Sequence, residues 1–395
     1  MNLFVIIFLF CNKISFFTKL PILWYNINED VNILRAIVCG GGTGGHIYPA
    51  LAIINKIKEK EPNSDILFIG THNRMEKDII PKYNISYMPL EMYGLKRKLT
   101  LSNIKTMHCF YKAIKRSKKV IKDFEPDVVI GVGGYVTAPV IYSAKKLGYK
   151  TFIHEQNSIP GLSNRQLEKY SDKIAVSFES SKKYFKNQEK IVYTGNPCGD
   201  NALSIKKVDK KELGLTPNKK LVLIVMGSLG SLKINEKITT MLPMFNEREY
   251  EVLFVTGKDY YEEIKENVKP PKNVKIVPYI ENMTKVMKAT DLMVSRAGAS
   301  TMSEIMSLEV PTIFIPSPYV TDNHQFKNAS DLVNKGAAVL IEEENLKGDI
   351  LIRTIDELFR NKLKYNKLKE NLKGVGVKGS SEKIYKILEN LVKEK

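Results

Sequence analysis

The chain has 395 residues, of which 43% are hydrophobic and 26% charged, and a formal net charge of +18. Those figures exclude a disordered chain and a single small domain, because ~100–200 residues per domain gives about two, each able to bury a core. The four cysteines, Cys11, Cys39, Cys109 and Cys198, show neither disulfide-framework nor metal spacing, which argues against a stapled secreted scaffold and a structural zinc and for a reducing cytosol.

In chain order, residues 1–33 differ from the rest. Leu3 to Cys11 is apolar but short, and Asn12 and Lys13 separate it from Ile14 to Tyr25, which contains Lys19 and Pro21. Neither run approaches the ~20 residues of a spanning helix. The basic residues follow the apolar run and no small-x-small site stands after it, which speaks against a signal peptide. Three readings stand for this leader: a membrane-surface segment, a disordered segment, or translated sequence upstream of the true start. The last is preferred, because the first strand of an α/β domain commonly opens the chain, here near Leu34.

From Leu34 onward apolar runs alternate with amphipathic ones, the pattern of a parallel sheet wrapped by helices. The first set of strands is Leu34 to Cys39, Ile66 to Ile69, Ile85 to Met88, Val128 to Ile130, Thr151 to Ile153, Lys173 to Val176 and Ile191 to Tyr193. After a linker candidate, Thr194-Gly195-Asn196-Pro197, the second set is Leu221 to Met226, Val252 to Thr256, Val274 to Val277, Leu292 to Val294, Thr312 to Ile315 and Ala338 to Ile341. A terminal amphipathic helix covers about Ser380 to Lys393.

Residues 37–46 read Ile-Val-Cys-Gly-Gly-Gly-Thr-Gly-Gly-His, a strand running through a glycine loop into the helix His46 to Lys58. Glycine has no Cβ, so backbone N–H groups of such a loop approach a phosphate closely at the positive end of a helix. Gly131-Val132-Gly133-Gly134 and Gly227-Ser228-Leu229-Gly230 likewise follow strands, and three such loops predict one large cleft for a phosphorylated ligand. Gly40-x-Gly42-x-x-Gly45 matches the dinucleotide fingerprint, but Gly70-Thr71-His72-Asn73 stands where that fingerprint needs an acid, which disfavours an NAD-dependent oxidoreductase. A P-loop nucleotidase is disfavoured too, since Gly-x-x-x-x-Gly-Lys-Ser/Thr is absent.

Lys96 to Lys122 holds ten Lys or Arg and no acid, interleaved with Leu95, Leu99, Leu101, Ile104, Phe110, Tyr111, Ile114, Val120 and Ile121. That mixture suits a segment lying on an anionic leaflet; a solvated helix face with a core stripe is the alternative. No RNA-binding or helix-turn-helix pattern accompanies the charge, so nucleic acid is not expected as a partner. In the second half, Ser295-Arg296-Ala297-Gly298-Ala299-Ser300-Thr301-Met302-Ser303-Glu304 follows a strand and opens a helix. Ser300 and Thr301 would offer donors to a phosphate and Glu304 would accept from ribose hydroxyls; alternatively Ser300 is an N-cap to which Ser303 or Glu304 reaches back. Asp322-Asn323-His324-Gln325 forms a second polar edge on the ligand-binding side of the sheet.

The blocks Gly41-Gly42-Thr43-Gly44-Gly45-His46-Ile47, Gly133-Gly134-Tyr135-Val136, His154-Glu155-Gln156-Asn157, Gly195-Asn196-Pro197, Gly227-Ser228-Leu229-Gly230 and Arg296 to Glu304 occur in order. In identity and spacing they resemble the MurG-type N-acetylglucosamine transferases of peptidoglycan synthesis, glycosyltransferase family 28, over essentially everything from Leu34. The resemblance implies a GT-B fold: two Rossmann-like doubly wound parallel-sheet domains facing across a deep cleft. Residues 34–197 would form the acceptor and membrane-side domain, 198–378 the UDP-sugar domain, and 379–395 a helix crossing back to the first. The implied reaction is inverting transfer from UDP-N-acetylglucosamine to the 4-hydroxyl of the muramoyl-pentapeptide sugar of undecaprenyl-diphosphate lipid I, giving lipid II. It needs no cofactor and no obligatory metal. The implied location is the cytoplasmic face of the cell membrane, peripherally bound, with other cell-wall enzymes as partners.

By resemblance Ser228 contacts the donor diphosphate, the Ile280 backbone clamps uracil and Glu304 accepts from the ribose. Thr43, Gly44, Gly45, Asn157, Ala299, Ser300, Thr301, Met302, Ser303 and Gln325 line the donor site and cleft. His46 at a helix N-terminus is the first choice of general base, since that position favours the neutral ring, with Glu155 as the alternative base; a structural hydrogen bond at the end of a buried strand is the other reading of Glu155 and His154. Two departures from the family pattern stand out: Gly199 where an arginine follows Asn-Pro-x, with Lys233 or the backbone to make up the charge, and Leu229 where glutamine is common. A GT-B sugar-nucleotide 2-epimerase and a non-catalytic lipid-binding or scaffold protein are the competing readings.

Overall fold

Arg35-Ala36-Ile37-Val38-Cys39 shows why the chain folds as it does: Ala36 and Val38 are buried in one apolar cluster and Ile37 and Cys39 in another, on the opposite face. A strand covered by helices on both faces reads as a continuous apolar run, and its neighbours pair with it in parallel. The structure, a computed structural model, describes residues 34–94, 101–227 and 230–394, the side chains of 101–104 and 321 apart. Residues 1–33, and with them the leader readings, lie outside the described residues.

The first lobe has strands β1 (Arg35–Cys39), β2 (Asp65–Thr71), β3 (Ser86–Leu90), β4 (Val128–Gly131), β5 (Lys150–Glu155), β6 (Lys173–Val176) and β7 (Ile191–Tyr193). Between them run helices α1 (Gly44–Lys60), α2 (Glu76–Ile79), α3 (Leu101–Phe124), α4 (Thr137–Lys146) and α5 (Leu162–Leu167). After α6 (Cys198–Ser204) the second lobe has β8 (Leu221–Val225), β9 (Glu251–Val255), β10 (Val274–Val277), β11 (Leu292–Ser295), β12 (Thr312–Phe314) and β13 (Val339–Leu340). Its helices are α7 (Leu232–Met241), α8 (Lys258–Asn267), α9 (Met283–Met287), α10 (Ala299–Leu308), α11 (His324–Val333), α12 (Ile350–Arg360) and α13 (Lys362–Leu372), and the terminal helix is α14 (Ser380–Lys393).

The sheets run β3-β2-β1-β4-β5-β6-β7 and β10-β9-β8-β11-β12-β13, parallel throughout. In each, the chain builds to one side of its first strand and then jumps to the other. The strand order therefore reverses between β1 and β4 and between β8 and β11, and a ligand crevice opens beyond the carboxyl ends of the strands at such a point. The glycine loops after β1 and β4 therefore meet, Gly41 N–H donating to Gly133 O at 3.3 Å, while the third begins at the end of β8 in the second sheet. This is the architecture the resemblance implies, and each expected strand is present.

The connection after β7 is not a loose linker, since Thr194 and Asn196 are buried and a Cβ on Gly195 would meet Val377 at 2.5 Å. The last helix, α14, places Ile384, Tyr385, Leu388 and Leu391 in the cluster of Ala36, Val38 and Ile54. Asp200 on α6 fixes its start by accepting from Gly379 N–H at 2.9 Å and Ser381 N–H at 2.6 Å. Two of the four N–H groups that a helix start leaves free are thereby satisfied.

Helix α3 is one-sided. Cys109, Ala113, Val120 and Ile121 are buried, whereas Lys105, Lys112, Lys115, Arg116, Lys119 and Lys122 are exposed together with Met107 and Tyr111. Residues 95–100, with Lys96, Arg97 and Lys98, lie outside the described residues. Among those described, no helix is long and apolar enough to cross a membrane.

Candidate active site

His46 is the third residue of α1 and half-buried. Its Nδ1–H donates to the Gly41 carbonyl at 2.8 Å, which fixes the tautomer and leaves Nε2 as the nitrogen with a free lone pair. Burial is the largest cause lowering its pKa, opposed by the Gly41 hydrogen bond and by Glu155 and Glu76, with His324 lowering it further. Desolvation thus favours the neutral ring, in the same direction as its place in the first turn of α1. Thr43 is the exposed N-cap residue, and Gly44 and Gly45 open the helix, where first-turn N–H groups lack helical acceptors. From the second glycine loop, Gly133 (φ +104°) lies so close that an added Cβ would be 2.7 Å from the imidazole.

The other expected base is differently employed. Glu155 is buried, and its carboxylate accepts from Asn157 N–H (2.8 Å), Asn157 Nδ2 (3.3 Å), Gly161 N–H (3.0 Å) and Asn164 Nδ2 (2.9 Å). With both oxygens so engaged, it organises the loop after β5 and is not placed to take a substrate proton. His154 is also fully buried, donating from Nε2 to Gly195 O at 3.2 Å and accepting from Gln156 Nε2 at Nδ1, 3.0 Å. Burial pushes its pKa down to about 4, so it is a neutral structural group. Asn157 is tied across the lobes: Asn328 Nδ2 on α11 donates to Asn157 Oδ1 at 3.3 Å and to Ala297 O at 3.2 Å, and Asn328 Oδ1 accepts from Ser158 N–H (3.0 Å) and Oγ (2.8 Å).

In the second lobe α10 begins two residues earlier than the capping alternative requires, with Gly298 as N-cap and no side-chain cap. The Ser300 cap is thereby corrected. Ser303 Oγ donates to Ser300 O at 2.9 Å, while Met302 is a core residue whose N–H is taken by Gly298 O at 2.9 Å. Met302 and Ser303 are thus turned away from a ligand; what α10 offers is the first-turn N–H groups of Ala299, Ser300 and Thr301. Ser300 Oγ is buried with no partner beyond the Cys198 thiol, a weak donor. Glu304 Oε1 accepts from Thr284 Oγ1 at 3.0 Å, and burial raises its pKa to about 7. Ile280 follows β10 in a loop, packed on the core. Gln325 Oε1 accepts from Ser317 N–H at 2.9 Å, leaving its NH2 group as donor. Ser228 lies outside the described residues.

The two sets of residues face each other, for α1 packs against α6 and α10, and Tyr48, two residues after His46, is near enough to feel the Glu304 carboxylate. Among the described residues no cluster of three or more His, Cys, Asp or Glu is gathered to hold a metal. Two family models match, one in each lobe. The glycosyltransferase family 28 N-terminal domain matches residues 36–176 and the glycosyltransferase family 28 C-terminal domain residues 221–388.

The chain belongs to glycosyltransferase family 28. It is 44% identical over 365 residues to "UDP-N-acetylglucosamine--N-acetylmuramyl-(pentapeptide) pyrophosphoryl-undecaprenol N-acetylglucosamine transferase 1" of Bacillus cereus, covering 91% of this chain and 100% of the relative. The similarly named transferase of Halalkalibacterium halodurans is 43% identical over 364 residues, with the same coverage. Among solved structures, Acinetobacter baumannii MurG matches with a TM-score of 0.73 and 25% identity, over 90% of this chain and 99% of that one. The UDP-GlcNAc 2-epimerase of Neisseria meningitidis, solved with UDP-GlcNAc, shares the fold at a TM-score of 0.63 and 18% identity, over 90% of this chain and 100% of that one.

Against that family pattern the Gly199 departure has a packing cause. A Cβ there would lie 2.3 Å from Ser307 Oγ and 3.1 Å from Ser303 O on α10, so the close α6–α10 contact occupies the space a longer side chain would need. Lys233 donates to Tyr319 Oη at 2.8 Å, which leaves its ammonium two further N–H donors. Arg296, a motif residue, is a buried strut: it pairs with Glu343 at 2.7 Å and donates to Ile315 O and Ser231 Oγ. Sequence reasoning passed over Asn328, Thr284 and Glu76, whose partners lie 20 to 171 residues away apart from the Thr71 contacts of Glu76.

Proposed function

We propose that this chain transfers N-acetylglucosamine from UDP-N-acetylglucosamine to the 4-hydroxyl of the muramoyl sugar of undecaprenyl-diphosphate lipid I. The single observation that carries the reading is His46, its tautomer fixed by Gly41, facing the lobe that bears Glu304 and the open start of α10. Inversion by one displacement needs a base for the acceptor hydroxyl and neutralisation of the departing UDP, with no covalent nucleophile. His46 Nε2 takes the proton of the 4-hydroxyl as its oxygen attacks the anomeric carbon. The carbon–oxygen bond to the diphosphate breaks, and its charge settles on the N–H groups of Ala299, Ser300 and Thr301 and on Ser228 and its loop. Glu304, ionised, accepts from the ribose hydroxyls, the Ile280 backbone meets uracil, and Thr43, Gly44, Gly45, Asn157 and Gln325 hold the sugar.

In this reading residues 34–197 are the acceptor domain, 198–378 the donor domain and 379–395 the returning helix. The basic, partly apolar face of α3 holds the acceptor domain against the anionic cytoplasmic leaflet, where a lipid acceptor resides. The test is transfer of labelled N-acetylglucosamine onto a short-chain lipid I analogue. His46→Ala lowers kcat by about 10²–10⁴-fold with donor KM little changed, and Glu304→Ala raises donor KM. Turnover of UDP-N-acetylglucosamine without acceptor would instead indicate an epimerase, and parent-like transfer by His46→Ala would end the base assignment.

A further inference from the structure

The dinucleotide fingerprint wants an acid at the end of the second strand, and this chain has none there; an acid arrives five residues after Thr71 and is put to another use. Glu76 opens α2 and is fully buried. Its Oε1 accepts from Thr71 N–H at 3.0 Å and Thr71 Oγ1 at 2.6 Å, and its Oε2 accepts from Gly42 N–H at 3.0 Å. These donors are all neutral, and a carboxylate buried without a cation is costly unless its hydrogen bonds are good. The glycines around it are shaped to admit it: a Cβ on Gly41 would lie 2.2 Å from Oε1, and one on Gly70 2.8 Å from Cγ.

The Gly42 N–H that Glu76 holds and the Gly41 carbonyl that receives His46 Nδ1–H belong to one peptide unit. That unit is planar, with its N–H and C=O pointing in opposite directions. Pinning the N–H from one side therefore aims the C=O at the imidazole on the other. Hydrogen bonds in such a chain also polarise one another, carboxylate to amide to ring.

We infer that Glu76 is the positioning residue for His46, acting through the Gly41–Gly42 peptide and not by contact with substrate. The inference rests on His46 being the base. The titratable groups facing that ring are Glu155 from β5, Glu76 from α2 and His324 from α11, with the Gly41 carbonyl against Nδ1. Removing the Glu76 charge makes the protonated ring less stable, so its pKa falls and the acid limb of the rate profile moves to lower pH.

The experiment measures kcat, donor KM and the pH profile for Glu76→Gln, Glu76→Asp and His46→Ala, with UDP affinity as a check on the donor lobe. Glutamine has one acceptor oxygen for three donors, so the peptide loosens. Glu76→Gln lowers kcat by roughly 10- to 100-fold, the scale set by about 1 Å of misplacement. Donor KM and UDP affinity stay near the parent's, and the acid limb moves down by on the order of half a pH unit. Glu76→Asp keeps the limb where the parent has it while losing part of kcat. In the His46→Ala background Glu76→Gln costs nothing further, because both act through one proton acceptor. A parent-like kcat, or an equal loss at every pH that persists in the His46→Ala background, overturns the inference. If Glu76→Gln does not fold, Glu76→Asp decides: lowered kcat with an unmoved limb supports the inference, and parent-like kcat overturns it. An active His46→Ala would instead remove the base itself, so the two failures are distinguishable.

Discussion

Glu304 carries opposed demands at the level of a single residue. Accepting from two hydroxyls requires the carboxylate, yet burial raises the pKa to about 7 from the ordinary 4.5. A carboxyl whose folded pKa is raised destabilises the fold once it ionises: the penalty is absent below about 4.5, grows through the window from 4.5 to 7, and is complete above it. Glu304→Gln is therefore expected to stabilise the ligand-free protein by roughly 2–3 kcal/mol at pH 8 and by little at pH 4, as read by chemical denaturation at both pH values, while losing donor affinity. In the parent, the donor kcat/KM declines as pH falls through about 7, before kcat does, because the pKa of His46 is lowered below its usual 6.5 and its neutral form survives further. A donor kcat/KM that is flat from pH 8 to 6 would contradict the ribose assignment.

At the level of elements, α6 against α10 decides what position 199 can be. Gly199→Ala places a methyl group 2.3 Å from Ser307 Oγ and near the Ser303 carbonyl, an overpacking expected to cost about 1–3 kcal/mol. Gly199→Arg, the family's residue, should destabilise at least as much and gain no donor affinity, as measured by denaturation and UDP binding. The strands were legible in the sequence because each buried strand is a continuous apolar run between turn residues, as in Leu221–Val225. The glycine loops and the start of α14 were legible for similar local reasons. The capping alternative put the start of α10 two residues late, since Gly298 and Ser300 both make acceptable caps and only the backbone (Gly298 φ −71°, ψ 137°) chooses between them. Glu155 was read in two ways because a carboxylate after a strand looks the same whether it meets substrate or, as here, Asn164 and Gly161. Asn328 carried no local signal at all, for its partners at Asn157 and Ser158 come from the other lobe.

For the whole molecule, the excess of positive charge matters where it is concentrated. The exposed Lys112, Lys115 and Lys119 share a face of α3, and each such residue near an anionic surface contributes about 1 kcal/mol. Replacing all three by glutamate is expected to weaken binding to phosphatidylglycerol-containing liposomes by well over 100-fold at low ionic strength. The parent's binding falls as salt rises, while transfer to a soluble, short-chain acceptor is unchanged; sedimentation that ignores both salt and these substitutions would remove α3 from the membrane face. The Asn328 stitch between the lobes has a mechanical consequence as well. It lies one turn along α11 from His324 and holds the loop that follows Glu155, so the lobes are tied together on the same side as the reacting atoms. Any swing of one lobe on the other that keeps these bonds would alter the spacing least beside them and most at the outer rims.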